Sequence, residues 1–302
     1  MGRHYYSLNE YYKKKFNKKV YKLSINGGMT CPNRDGKSGY KGCIFCSEGG
    51  SGEFASSSSL SITEQLKIAI NKVRSKTNDN AYIAYFQPFT NTYSDVEYLR
   101  KIYYEAIKPD YVVGLSVATR PDCLEKEKLE LLSEINKSKP VSVELGLQTI
   151  HENTADYIRR GYTLDVYDKA VDDLKRAGID VVTHVIIGLP YETEEMILET
   201  VKYVGQRTNG IKLQLLHVLE NTDLANEYRA GKFETLSIEE YTDIICEAIE
   251  LLPEDVVIHR ITGDGDKRSL ISPLWSGNKK KVLNYINKEF ESRNIIQGRK
   301  MK

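Results

Sequence analysis

The sequence lacks the features that define several large classes of protein. It contains no run of about 18 apolar residues, so no membrane-spanning helix and no membrane partner are expected. Its first residues, Met1 to Tyr6, are not followed by an apolar stretch, which excludes a secretory signal there. Cysteine is scarce, with 5 among 302 residues, too few for a disulfide framework. Together these absences predict a cytoplasmic protein in a reducing compartment.

The residues that are present predict a folded chain. Hydrophobic residues make up 40% of the sequence, and tyrosine alone occurs 21 times. This supply of aliphatic and aromatic side chains excludes disorder over the whole chain. It suffices for one large core or two modest ones.

The net charge of +1 hides two basic ends. Residues 1–22 carry seven Lys or Arg against one acid, and residues 279–302 carry eight against two, so each end has a net charge of +6. Such ends can bind phosphates, or they can simply be solvated. The tyrosines among the N-terminal lysines could stack on nucleic-acid bases, or could form the buried face of a helix over 7–16.

Strand and helix patterns alternate through the middle of the chain. The strand-like runs are Tyr21–Ile25, Ala81–Gln87, Tyr111–Val117, Val141–Leu147, Val181–Ile187 and Ile211–Val218. Helical patterns lie near 62–76, 94–107, 124–136, 165–177, 191–206 and 237–251. Six strand–helix units predict an α/β fold with a parallel sheet and right-handed crossovers. Because six units are too few for a closed eightfold barrel, we expect a partial (β/α)6 TIM-like barrel or a doubly wound sheet.

The same patterns divide the chain into three parts. Residues 1–19 form a basic N-terminal segment, residues 20–252 form the partial barrel, and residues 253–302 form a C-terminal extension with a basic tail. The extension holds an apolar run, Val256–Ile261, and a Lys-rich helical stretch over 277–291. The segment 258–265 is either an edge strand followed by a turn or a part of the substrate site.

Polar residues on one face of the predicted strands indicate a polar lumen. In the run from Val141 to Gln148 the apolar positions alternate with Ser142, Glu144, Gly146 and Gln148. Helices cover one face of such a strand, so the polar set faces the barrel interior. Barrel interiors are ordinarily packed with apolar side chains, so this lumen is expected to hold water or a polar ligand. Later strands repeat the pattern at Thr183-His184 and at Gln214 with His217.

Three of the five cysteines form the strongest local signal. Cys31, Cys43 and Cys46 lie within one glycine-rich loop directly after the first predicted strand, where α/β folds place their ligand sites. A zinc site would require a fourth ligand, and a redox dithiol would require only two cysteines. A cubane iron–sulfur cluster held by three cysteines leaves one iron open to a ligand. The spacing leaves zinc and iron–sulfur open, while Cys123 and Cys246 are expected to be small core residues.

These motifs together resemble the radical S-adenosylmethionine (SAM) superfamily. Phe45 matches the aromatic residue usual before the last cysteine, and the eleven residues between Cys31 and Cys43 are typical of the branch of the catalytic Elongator subunit. Further motifs similar to that branch follow in order: Phe86–Tyr93, Ala118–Asp122, Val143–Gln148, Arg159–Thr163 and His184–Pro190. The signature Cys-Pro-Asn-Arg-Asp-Gly resembles a small stand-alone bacterial family, the MnmL-type tRNA wobble-uridine enzymes.

The resemblance implies a cofactor set and its ligands. Cys31, Cys43 and Cys46 would bind three irons of a 4Fe-4S cluster, and the fourth iron would bind SAM. The implied SAM-binding residues are Gln87, Ser116, Glu144, Gln148, Arg160, His184, Leu216 and His217. Arg160, or its neighbour Arg159, would pair with the SAM carboxylate. Thr119 and Arg120 either form a turn with a surface salt bridge or contact a ligand.

The resemblance also implies a reaction and its partners. Reduction of the cluster by an electron donor such as flavodoxin or ferredoxin would cleave SAM to a 5′-deoxyadenosyl radical, which abstracts hydrogen from the substrate inside a dry barrel. The implied substrate is tRNA, at a wobble uridine carrying a 5-carboxymethylaminomethyl group. Two alternatives are a radical SAM enzyme with a small-molecule or protein substrate and a non-catalytic, zinc-stapled RNA-binding protein.

Overall fold

A parallel sheet of seven strands forms the centre of the computed structural model, which describes residues 4–50, 55–74, 80–263, 265 and 267–301. The strands, in spatial order, are β1 (Tyr21–Ile25), β2 (Tyr82–Phe86), β3 (Val112–Thr119), β4 (Val141–Gln148), β5 (Asp180–Ile187), β6 (Gly210–Leu215) and β8 (Val257–Arg260). A small antiparallel sheet pairs β7 (Val218–Leu219) with β9 (Leu270–Ser272).

Helices that connect the strands cover the outer face of the sheet. The helices of the described residues are α1 (Leu8–Phe16), α2 (Ile62–Val73), α3 (Val96–Ile107), α4 (Lys126–Asn136), α5 (Glu152–Tyr157), α6 (Leu164–Arg176), α7 (Glu194–Gly205), α8 (Asp223–Arg229), α9 (Ile238–Leu251) and α10 (Lys279–Ser292). The apolar core lies between this helix layer and the sheet. Within the described ranges, no helix is long and apolar enough to cross a bilayer.

Local sequence signals place the helix ends. At α2, the Glu64 amide donates to the Ser61 hydroxyl at 3.2 Å, and the Ser61 amide donates to the Glu64 carboxylate at 2.9 Å. The same reciprocal pair forms between Ser237 and Glu240 at α9. These capping boxes satisfy amides that the first helical turn leaves without partners. Gly178 follows α6 with a φ of +69°, a conformation that glycine adopts without steric cost.

The predicted fold class is confirmed, and the sheet has one strand more than the six strand–helix units. The additional strand is β8, which pairs with β6 in parallel and forms the edge of the sheet. The segment 258–265 therefore begins as an edge strand, as one of its two interpretations predicted. Asp264 lies outside the described residues, as do residues 1–3 of the N-terminal segment and residues 75 and 76 of the predicted helix 62–76.

The N-terminal segment runs beside β8 and meets the end of the chain. The Ile258 amide donates to the Tyr6 carbonyl at 2.8 Å, and the Tyr6 amide donates to Oε1 of Gln297 at 2.7 Å. Gln297 is almost fully buried, and its side chain also donates to the carbonyl of Val256 at 2.9 Å. Tyr12 on α1 packs into a small apolar cluster near the start of β2. The tyrosines of this helix thus form a buried face, as one of the two interpretations predicted.

Candidate active site

A cavity of about 300 Å³ opens at the carboxyl ends of the parallel strands. One wall is the cysteine loop, and the other walls are the inner faces and ends of β2 to β6 and of β8. Ligand sites of parallel α/β folds lie at this end of the sheet because the loops that follow the strands converge there. The cysteine loop and the polar lumen therefore belong to one site.

The inner face of β4 supplies the polar floor of this cavity. Val143, Leu145 and Leu147 are completely buried in the core under the helices, while Glu144, Gly146 and Gln148 line the cavity. A Cβ atom added at Gly146 would meet only Nε2 of Gln148, at 3.1 Å, so the missing side chain leaves room above the strand. The predicted alternation of β4 is confirmed.

On β5 only one of the two predicted polar residues faces the lumen. His184 lines the cavity, with its Nε2 2.8 Å from the Glu144 carboxylate. Thr183 faces the opposite side, where its hydroxyl lies 2.9 Å from the Tyr167 hydroxyl of α6. The interpretation of Thr183 as a lumen residue is therefore wrong, because consecutive residues of a strand point to opposite faces.

The cysteine loop brings three thiols to the cavity. Cys31, Cys43 and Cys46 all line it, and all three are free of disulfide bonds. The side-chain amide of Asn33 donates from Nδ2 to Sγ of Cys43 at 3.5 Å and to the carbonyl of Arg159 at 2.7 Å. These contacts fix the loop against the chain that follows α5. Arg34 closes the other side, donating to the carbonyl of Cys46 at 3.3 Å.

The surroundings of Cys43 suit a metal ligand rather than a free thiolate. Burial raises the pKa of Cys43 to about 12, and the neighbouring sulfurs of Cys46 and Cys31 act in the same direction. A metal centre supplies the positive charge that holds such thiols deprotonated. Within the described residues, no three His, Cys, Asp or Glu side chains are grouped as ligands of a single ion. In a 4Fe-4S cluster each cysteine binds a different iron, so three thiols on one loop facing an open cavity fit that group.

Glu144 is the centre of a buried hydrogen-bonded network. Its side chain has no solvent exposure and accepts hydrogen bonds from five groups, namely Lys22 Nζ, Ser116 Oγ at 3.1 Å, the Tyr85 hydroxyl at 2.8 Å, His184 Nε2 at 2.8 Å and Lys212 Nζ at 2.5 Å. Burial by itself would raise the pKa of Glu144. The charges of Lys212 and Lys22 outweigh burial and hold that pKa well below its usual value, so Glu144 is ionised.

Burial lowers the pKa of both basic groups that contact Oε2 of Glu144, but only one of them is left with a pKa near 7. Burial lowers the pKa of His184 to about 4, and the charge of Lys212 adds to this, so the imidazole is neutral at pH 7 and donates its Nε2 proton to Glu144. Burial also lowers the pKa of Lys212 to about 7, although Glu144 opposes the shift. Lys212 therefore gains or loses its proton near neutral pH.

Most of the predicted SAM-binding residues line the cavity. The structure brings together the side chains of Gln87, Glu144, Gln148, Arg160, His184, Leu216 and His217. Ser116 lies behind them, completely buried, and contacts Glu144 and Ser142. In the described part of the chain, Oε1 of Gln148 is buried without a hydrogen-bond partner. Because buried polar atoms are ordinarily paired, this oxygen fits a contact to a ligand.

The arginines near the cavity hold its walls. Arg160 donates to the carbonyls of Thr149 at 2.7 Å and Tyr162 at 2.8 Å, and to the Glu152 carboxylate at 2.9 Å. Arg159 pairs with Asp223 at 2.6 Å. That the SAM carboxylate pairs with one of these arginines stays a prediction.

Thr119 and Arg120 lie in the cavity wall. Arg120 is 8% exposed and forms a two-point pair with Asp122, at 2.8 and 2.9 Å. This is the salt bridge that one interpretation expected, although it is mostly buried rather than on the surface. Thr119 Oγ1 lies 2.6 Å from Thr92 Oγ1, so it too has a structural contact.

Sequence reasoning missed the lysines of the site. Lys22 on β1 and Lys212 on β6 both reach Glu144. Their signal is a single charged residue between apolar neighbours within a buried parallel strand, as in Ile211-Lys212-Leu213. Such a strand has no solvated face, so a charge in it requires a buried partner.

Comparison with known proteins gives the family. Residues 30–204 match the Radical SAM superfamily, and residues 208–292 match the Radical SAM C-terminal domain. YtqA of Bacillus subtilis is 44% identical over 98% of this chain and 92% of its own length. A tRNA uridine(34) acetyltransferase of Methanocaldococcus jannaschii is 31% identical over 50% of this chain, but over only 28% of its own length.

A solved structure supports the fold. The structure of Elp3 from Methanocaldococcus infernus has a TM-score of 0.72 and 18% identity, covering 92% of this chain and 64% of that one. The match over most of the chain agrees with the seven-stranded parallel sheet described above. On the family match and the YtqA relationship, this chain belongs to the radical SAM superfamily, in a stand-alone branch with Elongator-like relatives.

Proposed function

We propose that this protein is a tRNA-modifying radical SAM enzyme that processes 5-carboxymethylaminomethyluridine at the wobble position. The observation that carries the proposal is the convergence of three free thiols and a polar lumen on one cavity at the carboxyl ends of the strands. One relative supports tRNA as the substrate class: a tRNA uridine(34) acetyltransferase is 31% identical to this chain over half of its residues.

The residues of the cavity have distinct roles in this proposal. Cys31, Cys43 and Cys46 would hold a 4Fe-4S cluster, and the predicted SAM-binding residues that line the cavity would hold SAM against it. When bound, the cluster and SAM supply the 5′-deoxyadenosyl radical. The side-chain oxygen of Gln148, which has no hydrogen-bond partner in the described part of the chain, would accept a hydrogen bond from SAM.

The chain itself sets the protonation of the groups around that chemistry. The tyrosine-rich helix α1 lies at the amino ends of the strands, where Tyr12 packs with Ala81 and Ile83 and borders a cavity of about 600 Å³. Glu144 keeps its charge within the network described above, and His184 stays neutral beside it. The proposed role of this network is to hold the lumen walls and to present lysine ammonium groups to a bound substrate.

The proposed RNA contact is the exposed side of the basic N-terminal segment. Lys13, Lys14 and Lys18 are exposed, while the tyrosines of the same segment pack inward. Exposed lysines bind the RNA backbone through charge, and such binding weakens with salt. An electron donor such as flavodoxin or ferredoxin completes the proposed set of partners.

The chemistry is tested by anaerobic reconstitution with iron and sulfide, followed by dithionite and SAM. We expect a brown protein that forms 5′-deoxyadenosine, and a Cys46→Ala variant that forms none. Cys246→Ala is the matched control, because Cys246 is buried in α9 among core residues and should leave the yield unchanged. A colourless protein with stoichiometric zinc would instead support the RNA-binding alternative.

The substrate is tested by comparing modified nucleosides in tRNA from cells with and without the gene. We expect 5-carboxymethylaminomethyluridine to accumulate without it. Unchanged nucleosides, together with active 5′-deoxyadenosine formation, would refute the tRNA assignment and leave the radical chemistry in place.

A further inference from the structure

A second cavity, of about 550 Å³, opens between the two edge strands of the sheet, β1 and β8. Its walls include Lys22 on β1, His259 on β8 and the start of α1. It shares lining residues with the active-site cavity, namely Tyr85, Gln87, Lys212 and Arg260. The lateral opening therefore leads to the lumen at the height of the Glu144 network.

The charges at this junction do not balance. Lys22 and Lys212 both contact Glu144, so one carboxylate faces two ammonium groups. Among the described residues that line either cavity, Glu144 is the only Asp or Glu. Arg260 lies in the same wall with contacts of its own. The Lys22 and Lys212 side chains are only 15% and 10% exposed.

An anion that binds beside these buried lysines would stabilise their excess positive charge. Removing an ammonium group from water costs several kcal/mol unless an opposite charge pairs with it. The Tyr85 ring lies beside both lysines, with its centre 4.8 Å from Lys22 Nζ and 4.9 Å from Lys212 Nζ. The ring fixes both ammonium groups at the point where the two cavities meet.

We propose that Lys22 and Lys212 form a subsite for a carboxylate of the substrate. The proposal rests on the proposed function, and it adds the feature by which the enzyme selects the modified uridine. When Lys212 is protonated, the two lysines exceed the single negative charge of Glu144 by one unit, and one carboxylate of the substrate would balance that excess. A carboxylate held there leaves the rest of the substrate side chain in the lumen beside Gln87 and the SAM cavity.

The test compares two anticodon stem-loops that differ in one group. One carries 5-carboxymethylaminomethyluridine at the wobble position, and the other carries its carboxamide, which has the same shape without the charge. Binding to the reconstituted protein with SAM is measured by fluorescence anisotropy at fixed salt. We expect the carboxylate stem-loop to bind at least about tenfold more tightly, since hydrogen bonds to a charged group discriminate to that extent.

Single lysine variants then locate the preference. Lys22→Met leaves the Lys212–Glu144 pair balanced, and Lys212→Met leaves the Lys22–Glu144 pair balanced, so either should fold. We expect each variant to reduce the preference to less than about threefold while binding of the carboxamide stem-loop is unchanged. The matched control is Lys126→Met, which removes a 91% exposed lysine on α4 and should leave the preference intact.

The outcomes separate this inference from the proposed function. Equal binding of the two stem-loops by the unaltered protein overturns the subsite and leaves the tRNA function standing. Binding of neither stem-loop refutes the tRNA function, and the subsite with it. If the lysine variants weaken SAM binding and leave the preference unchanged, the lysines serve the SAM carboxylate and the inference is overturned.

Discussion

Replacing Glu144 by glutamine should destabilise the protein by a predictable amount. The substitution keeps the shape of the side chain and its acceptor oxygen but removes the charge that faces Lys22 and Lys212. Breaking a buried ion pair by removing one partner costs roughly 3–5 kcal/mol. Two such pairs would suggest about twice that loss, but Lys212 has a pKa of about 7 even beside Glu144, so in the variant it can release its proton at little further cost. We expect a loss of about 4 kcal/mol at pH 7.

The loss of stability should also depend on pH, through the proton of Lys212. The pKa of Lys212 is already lowered from 10.5 by burial, and Lys22 and Arg260 also lower it, so removing Glu144 lowers it further. Between pH 8 and pH 6 the unfolded chain holds this proton in both proteins. The folded wild type gains it as the pH falls through 7, whereas the folded variant does not. The variant therefore loses stability with falling pH more steeply, and the difference should widen by about 1.4 kcal/mol from pH 8 to pH 6.

The assay is urea unfolding of both proteins at pH 6, 7 and 8, followed by fluorescence. Glu144 stays ionised and His184 stays neutral over this range, so Lys212 is the titrating group of the network. The control is Glu130→Gln, which removes a 65% exposed partner of Lys126 and should change stability little at any pH. If the stability difference between the Glu144→Gln variant and the wild type stays constant or narrows on acidification, Lys212 is not the group that titrates beside Glu144.

Three further predictions concern the cavity walls and the basic N-terminal segment. Gly161→Ala places a methyl group 2.7 Å from Asn33 Oδ1 at a φ of +78°, so it should cost about 1–3 kcal/mol in urea unfolding and lower the iron content per chain. Gly146→Ala should keep the fold and weaken SAM binding at least about tenfold in equilibrium dialysis, because its methyl group enters the cavity. Replacing the exposed Lys13, Lys14 and Lys18 together by alanine should make the slope of log affinity for tRNA against log salt concentration less steep by roughly 2–3.

The sheet was largely predictable because its strands carry strong local signals. The β1 prediction, Tyr21–Ile25, matches the observed strand, and β4 extends the prediction by Gln148 alone. The pairing of β8 with β6 was not predictable in this way. An apolar run of four to six residues shows that a strand exists, but its partner depends on contacts between distant segments.

The site was predictable where chemistry limits the choice of residue. Three cysteines in one loop and a Glu within an apolar strand both stand out in the sequence, and the structure places them on one cavity. Lys22 and Lys212 did not stand out, because lysine is common and usually solvated. The partners of Arg160 were equally hidden, since they are mostly backbone carbonyls that leave no trace in the sequence.

The hydrogen bonds that join Tyr6, Ile258 and Gln297 have a consequence for biosynthesis. The ribosome releases Tyr6 long before it makes Ile258 and Gln297, so the hydrogen bonds of Tyr6 to these two residues form only when synthesis is almost complete. Removing the last six residues, from Gln297 onward, would remove the hydrogen bonds that Gln297 forms with Tyr6 and with Val256. At this corner of the molecule the beginning of the chain can therefore dock only after its end has been made.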